Sequence, residues 1–143
     1  MRIILDTNII VSGLISEHAA PAQLLNSWAD NAFTLVTSTT QITELQSVTH
    51  RPSVRPLMTP AHAGRFIDDL HRFATVLDRL PVVDRSGDPN DNFLLAMAEA
   101  GAADHLVTGD KRDVLALKRH GNTTIITAKE MLPLLGFPTP GTS

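Results

Sequence analysis

The chain has 143 residues, is 43% hydrophobic and 19% charged, and contains no cysteine. These figures fit one compact domain, exclude disulfides and thiolate metal sites, and leave no compositional basis for intrinsic disorder. A formal charge of −3 argues against a broad basic surface for nucleic acid, although an enzyme that meets phosphates through bound cations gains positive charge that composition does not count.

The opening "MRIILDTNII" predicts a buried strand over 2–5 that ends at once on a carboxylate, Asp6, followed by Thr7 and Asn8. Because Asp6 interrupts the apolar run, the N-terminus does not read as a signal peptide. No stretch approaches the roughly 18 apolar residues of a membrane helix. Helices are predicted over 8–15 and 20–30, then a strand over 33–37 and a helix over 39–49. In that helix Ile42, Leu45 and Val48 form an apolar stripe with Glu44 on its flank, and Gln41 falls inside the stripe without an evident reason. The segment 50–60, with Pro52, Pro56 and Pro60, reads as a loop within one domain, since neither half could bury a core alone. Arg51, Arg55 and Arg65 around it are candidates for touching a phosphate backbone, solvated loop arginines being the plainer reading. A helix over 60–73 follows, and apolar residues from Phe66 to Leu77 at helical spacing suit core packing. A weaker strand falls near 75–77.

"DPNDNFLLAMAEAG" (88–101) predicts a helix over 89–101 with Asp88 as N-cap, Pro89 at N1 and Asp91 at N3, where the helix dipole favours an acid. Helical geometry also places Asp91 in line with Leu94, Leu95 and Ala98. An acid in line with an inward face is expensive unless compensated, which points to a functional role. "HLVTGDKRD" (105–113) predicts a strand over 105–108, a turn at Gly109, and a second acid, Asp110, past a second strand end. Asp110 as N-cap of a helix over 111–119, with Asp113 at N3, is the competing explanation. Lys111 and Arg112 are candidates to approach a substrate. A strand over 123–126 and a helix over 127–135 complete a domain spanning 1–135, and 136–143 is expected to fray as a flexible tail. The six histidines show no metal-site spacing, and 4% aromatic content without tyrosine argues against a base-stacking platform.

Strands alternating with helices predict a parallel sheet covered on both faces, and in such sheets ligands gather beyond the carboxyl ends of the strands. That rule gives Asp6 and Asp110 a meaning. If Asp6, Glu44, Asp91 and Asp110 converge, the cluster must protonate or hold a cation. Oxygen ligands without cysteine or a histidine pair select Mg²⁺ or Mn²⁺, and carboxylate-held Mg²⁺ usually works on phosphates.

The combination of "ILDTNIIVSGL" (4–14), "TELQSV" (43–48) and "DPNDNFLLAMAEAGAADHLVTGDKRDVLAL" (88–117) resembles PIN-domain proteins, over a span from Met1 to about Leu135. The resemblance implies an α/β fold, a three-layer α/β/α sandwich with a central parallel sheet of four to five strands. It implies a divalent-metal-dependent endoribonuclease that hydrolyses RNA phosphodiesters by a metal-activated water, leaving 5′-phosphate and 3′-hydroxyl ends. Asp6, Glu44, Asp91 and Asp110 match the family's acids that hold Mg²⁺ (or Mn²⁺), and in a two-ion version the metals lie about 3.5–4 Å apart. Asn8, Thr108, Asp113 and Asp88 match accessory positions, and Arg51 and Lys111 are carried as substrate-binding candidates. Asn90 stands where many relatives have a further acid. Many small family members are toxins of toxin–antitoxin pairs and commonly dimers. The resemblance thus also implies a toxin, a cognate antitoxin protein as partner, and a homodimer or higher homo-oligomer, and the absence of cysteine fits a reducing cytoplasm. Two other readings compete. A non-catalytic PIN-fold module binding RNA or protein is opposed by the intact set of acids. A phosphatase-like or receiver domain would want an acid where Asn8 stands, or an acceptor Asp after a central strand that the sequence does not offer.

Overall fold

The structure, a computed structural model, describes residues 1–88, 91–109 and 112–138, with the side chains of Arg112 and Asp113 outside the description. In chain order the elements are β1 (Arg2–Leu5), α1 (Thr7–Ile15), α2 (Ala20–Ala29), β2 (Thr34–Ser38), α3 (Thr39–Thr49), α4 (Pro60–Phe73) and β3 (Thr75–Leu77). They continue with α5 (Asn92–Ala100), β4 (His105–Val107), α6 (Arg112–Leu115), β5 (Arg119–His120), β6 (Thr123–Ile126) and α7 (Ala128–Leu134). The sheet order is β3-β2-β1-β4-β6-β5. All pairings are parallel except β5 with β6, which is antiparallel. The expected parallel sheet is present as five strands, and the sixth is a two-residue addition at one edge.

β1 lies in the middle, and its Ile3, Ile4 and Leu5 are fully buried, as a continuous apolar strand covered on both faces must be. Alternation along the strand divides the core. Ile3 and Leu5 pack with Ile10, Leu24, Leu45, Leu70 and Met131, so α1 to α4 and α7 cover one face. Ile4 packs with Leu94, Leu95, Leu106 and Val114, so α5 and α6 cover the other. This is the α/β/α sandwich. Among the described residues no helix is long and apolar enough to cross a membrane.

The structure departs from the sequence expectations in two places, α6 and the start of α5. The helix expected over 111–119 ends at Leu115, and Lys118 at φ 58° turns the chain into β5. Gly121 at φ 57° and Asn122 then form a two-residue turn into β6, the conformation in which glycine has no steric penalty. Of the helix expected over 89–101, residues 89 and 90 lie outside the described residues, and the α-helix runs from Asn92. The proline-bearing segment 50–60 is the expected loop, built as a run of turns with Arg55 N–H donating to Arg51 O at 3.0 Å and Met58 N–H to Val54 O at 3.1 Å, and pinned to the core by buried Met58. After α7, Gly136 at φ 96° and Phe137 cap the helix: their N–H groups donate to Pro133 O and Leu132 O, a Schellman arrangement; residues 139–143 of the expected tail lie outside the described residues.

Candidate active site

The seam at Asp6 is where β1 hands over to α1. Asp6 extends the ladder by one residue, its N–H donating to Val107 O at 2.9 Å, and its side chain then caps α1 by accepting from the Asn8 N–H at 3.3 Å. Capping is a sufficient structural reason for an acid here. It does not account for the burial. Asp6 is 1% exposed, and a charge taken that far out of water is costly unless compensated. Its second oxygen accepts the hydroxyl of Thr108 at 2.8 Å. Thr108 is itself fully buried at the carboxyl end of β4, where its N–H continues the ladder to Ile126 O. The pair therefore joins the ends of two adjacent strands at one carboxylate. Beside it, the Thr7 hydroxyl is buried with no hydrogen-bond partner among the described residues. Asn8 is exposed, contributing its backbone rather than its side chain to Asp6.

Glu44 reaches this end of the sheet through Gln41, the residue whose place in an apolar stripe has no local explanation. Ser38 ends β2 and caps α3, accepting the Gln41 N–H at 3.0 Å. The buried Gln41 side chain accepts from Thr37 Oγ1 at 2.6 Å and donates to Leu5 O at 2.7 Å. Leu5 is the residue before Asp6. One amide thus locks the first turn of α3 to the carboxyl ends of β1 and β2. Glu44 lies three residues further along α3, half-buried, on the same side of the helix as Gln41 because i and i+3 share a face.

Asp91 reaches the same end of the sheet by way of α5. At the far end of that helix, Gly101 O accepts from Arg2 Nε at 2.7 Å, so α5 finishes beside the start of β1. The helix packs along β1, and at about 1.5 Å per residue its nine residues carry the chain about 13 Å back, the length of β1. Asp91 is 4% exposed. It occupies the N-cap position but makes no capping hydrogen bond through its side chain. The expected cap, Asp88, stands one turn earlier: the Asp91 N–H donates to Asp88 O at 3.0 Å, a tight i→i+3 turn. The reason is Asn92, whose Oδ1 accepts the N–H groups of Arg85 at 3.2 Å and Ser86 at 2.8 Å. This folds the preceding segment against the helix start, so the α-helical path opens after Asp91.

Asp110 and Lys111 lie outside the described residues, as does the side chain of Asp113. Arg51 is exposed on the turn-rich segment after α3. Among the described residues no three His, Cys, Asp or Glu side chains form a group able to hold a metal ion; the quartet named from the sequence includes Asp110. What the described part supplies is a donor set of oxygens. Asp6 is held by a hydroxyl and a backbone N–H, and Asp91 is buried at the same end of the sheet. Hard cations such as Mg²⁺ and Mn²⁺ take such donors, so the chemistry of these oxygens, though not yet a complete ligand group among the described residues, suits a divalent ion of that kind.

A family model described as "PIN domain" matches residues 2–112, a span that contains Asp6, Glu44, Asp91 and Asp110. No curated protein and no solved structure matches the chain.

Proposed function

The chain belongs to the PIN-domain family, whose members are generally nucleases that use divalent metals; on that premise we propose that it is a metal-dependent endoribonuclease and the toxin of a toxin–antitoxin pair. The observation that carries the nuclease reading is the buried carboxylate of Asp6, bound to Thr108 at the joined ends of β1 and β4, the place where α/β sheets put their ligands. Asp6, Glu44, Asp91 and Asp110 would hold Mg²⁺ or Mn²⁺. When bound, the ion neutralises charge on the phosphoryl group and activates the attacking water. Thr108 and the Asn8 N–H fix both oxygens of Asp6 in direction. Gln41 fixes the helix that carries Glu44. Arg51, exposed on the segment after α3, and Lys111 would meet the phosphate backbone of RNA. Asp88 and Asp113 are accessory acids near the helix starts. The toxin role, with a cognate antitoxin, a homodimeric state and a cytoplasmic setting, draws its support from small size and from resemblance to toxin members of the family.

The test is cleavage of total RNA by the purified protein with Mn²⁺ or Mg²⁺, with chelator and with Asp6→Asn. The expected outcome is metal-dependent cleavage that the chelator and the substitution both abolish. Tight Mn²⁺ binding without cleavage of any RNA in a broad panel would establish the alternative, a non-catalytic PIN-fold binding module.

A further inference from the structure

One residue, Arg85, ties the segment leading into α5 both to that helix and to the edge strand β5. Its backbone N–H donates to Asn92 Oδ1 at 3.2 Å, beside the Ser86 N–H at 2.8 Å. Onward, the Asp88 N–H donates to Ser86 Oγ at 3.3 Å, and the Asp91 N–H to Asp88 O at 3.0 Å. A hydrogen-bonded path thus runs from Arg85 to the backbone of Asp91. The Arg85 side chain points away from that path, to the edge strand. Nη1 donates to Arg119 O at 2.8 Å and to His120 Nδ1 at 2.9 Å.

An arginine can only donate. His120 Nδ1 must therefore accept, the ring proton sits on Nε2, and Nε2 donates to Glu99 Oε1 at 2.7 Å. His120 is 9% exposed, so the arrangement is shielded on the histidine side. Glu99 and Asn92 are both on α5, at its two ends. The bonds form a closed circuit: Asn92 to Arg85, Arg85 to His120, His120 to Glu99, and back along the helix. No segment of it adjoins another in sequence, except through α5. A surface ion pair placed only for solubility needs no such closure.

Resting on the nuclease reading above, we infer that Arg85 is a positioning residue for Asp91: its guanidinium holds the 85–88 segment against β5, and that segment sets where α5 begins and where its leading acid stands. Arg85 touches neither substrate nor metal in this role. It acts through backbone geometry, in the way that residues behind a ligand set govern affinity without joining it.

The experiment compares wild type, Arg85→Met, which keeps the stem and loses the donors, and Arg85→Lys, which keeps a donor. Each is titrated with Mn²⁺ alone, followed by electron paramagnetic resonance of the free ion, and melted in parallel. The expected result is Mn²⁺ affinity about tenfold weaker in Arg85→Met, largely recovered in Arg85→Lys, with melting temperatures close to wild type. Wild-type affinity in Arg85→Met overturns the positioning role while leaving the nuclease reading intact. So does a loss that follows a fall in melting temperature and that Arg85→Lys does not recover. Absence of Mn²⁺ binding by wild type overturns the nuclease reading, and this inference with it.

Discussion

The two ends of the sheet treat their acids differently. At the amino end, Asp104 and Glu99 are exposed; Asp104 accepts the Arg2 N–H at 2.7 Å and Glu99 pairs with His120. Such acids cost little, since water still solvates them, and they repay it with local hydrogen bonds. At the carboxyl end, Asp6 and Asp91 are 1% and 4% exposed. Folding alone gains little from a carboxylate so deeply buried, because apolar groups of similar shape would serve the core as well or better. On the reading proposed above, burial rather than the presence of acids is what singles out the carboxyl end of the sheet.

The sharpest way to break that contrast is Asp6→Asn. Metal-dependent cleavage is expected to fall more than about 100-fold, beyond what loss of an indirect partner typically costs, while circular dichroism and cooperative melting persist. Retained cleavage would remove Asp6 from the site. Next in size is Gln41→Leu, which strips partners from Thr37 and from the Leu5 carbonyl. A stability loss of about 1–3 kcal/mol in urea unfolding is expected, the cost of leaving buried polar groups unsatisfied; a neutral result would show that α3 is seated by its apolar stripe alone.

Histidine 105, at the amino end of β4, supplies a pH test. Burial lowers its pKa below the ordinary 6.5, and the charge of Asp104 partly opposes this. Below pH 6.5 the unfolded chain then binds the proton more readily than the native one. The stability contributed by neutral His105 is therefore complete above that pH and is lost as the pH falls through it towards the lowered value. Melting temperature measured across that range should decline on the acid side less steeply in His105→Gln than in wild type, and parallel curves would discard the effect. The smallest change is expected from Asp104→Asn. Stability should shift by about 0.5 kcal/mol or less, as for exposed sites generally, and cleavage should not change. Asp104→Asn also removes the opposing charge, so it should steepen the acid-side decline.

Much of the fold was readable in the residues. β1 follows from an uninterrupted apolar run, and α3 and α4 occupy the spans that their periodicity predicts. Failures came where a distant or competing bond decides. Gln41 looked misplaced because its partners include the carbonyl of Leu5, a contact that no helical wheel displays. At the start of α5 the Asn92 side chain takes two backbone N–H groups from the segment before it, a bond that no local capping pattern displays. β5 was hidden by a helical pattern that ran on past Leu115, although the Gly121–Asn122 pair ahead of Thr123 is a hairpin signal in plain view. For the site, acids at strand ends were visible as residue types in position. Thr108 on Asp6 was foreshadowed only as an accessory position. The Arg85–His120–Glu99 chain left no trace, because its members come from three separate segments and His120 looked like any other polar residue.

The strands at the two rims of the sheet have a consequence for assembly. β3 offers three residues and β5 two, the latter already folded back on β6. So little open backbone gives an incoming strand almost nothing to zip onto. Among the described residues the rims of the sheet thus favour a partner that docks side chain against side chain, on helices and turns, over one that lengthens the sheet.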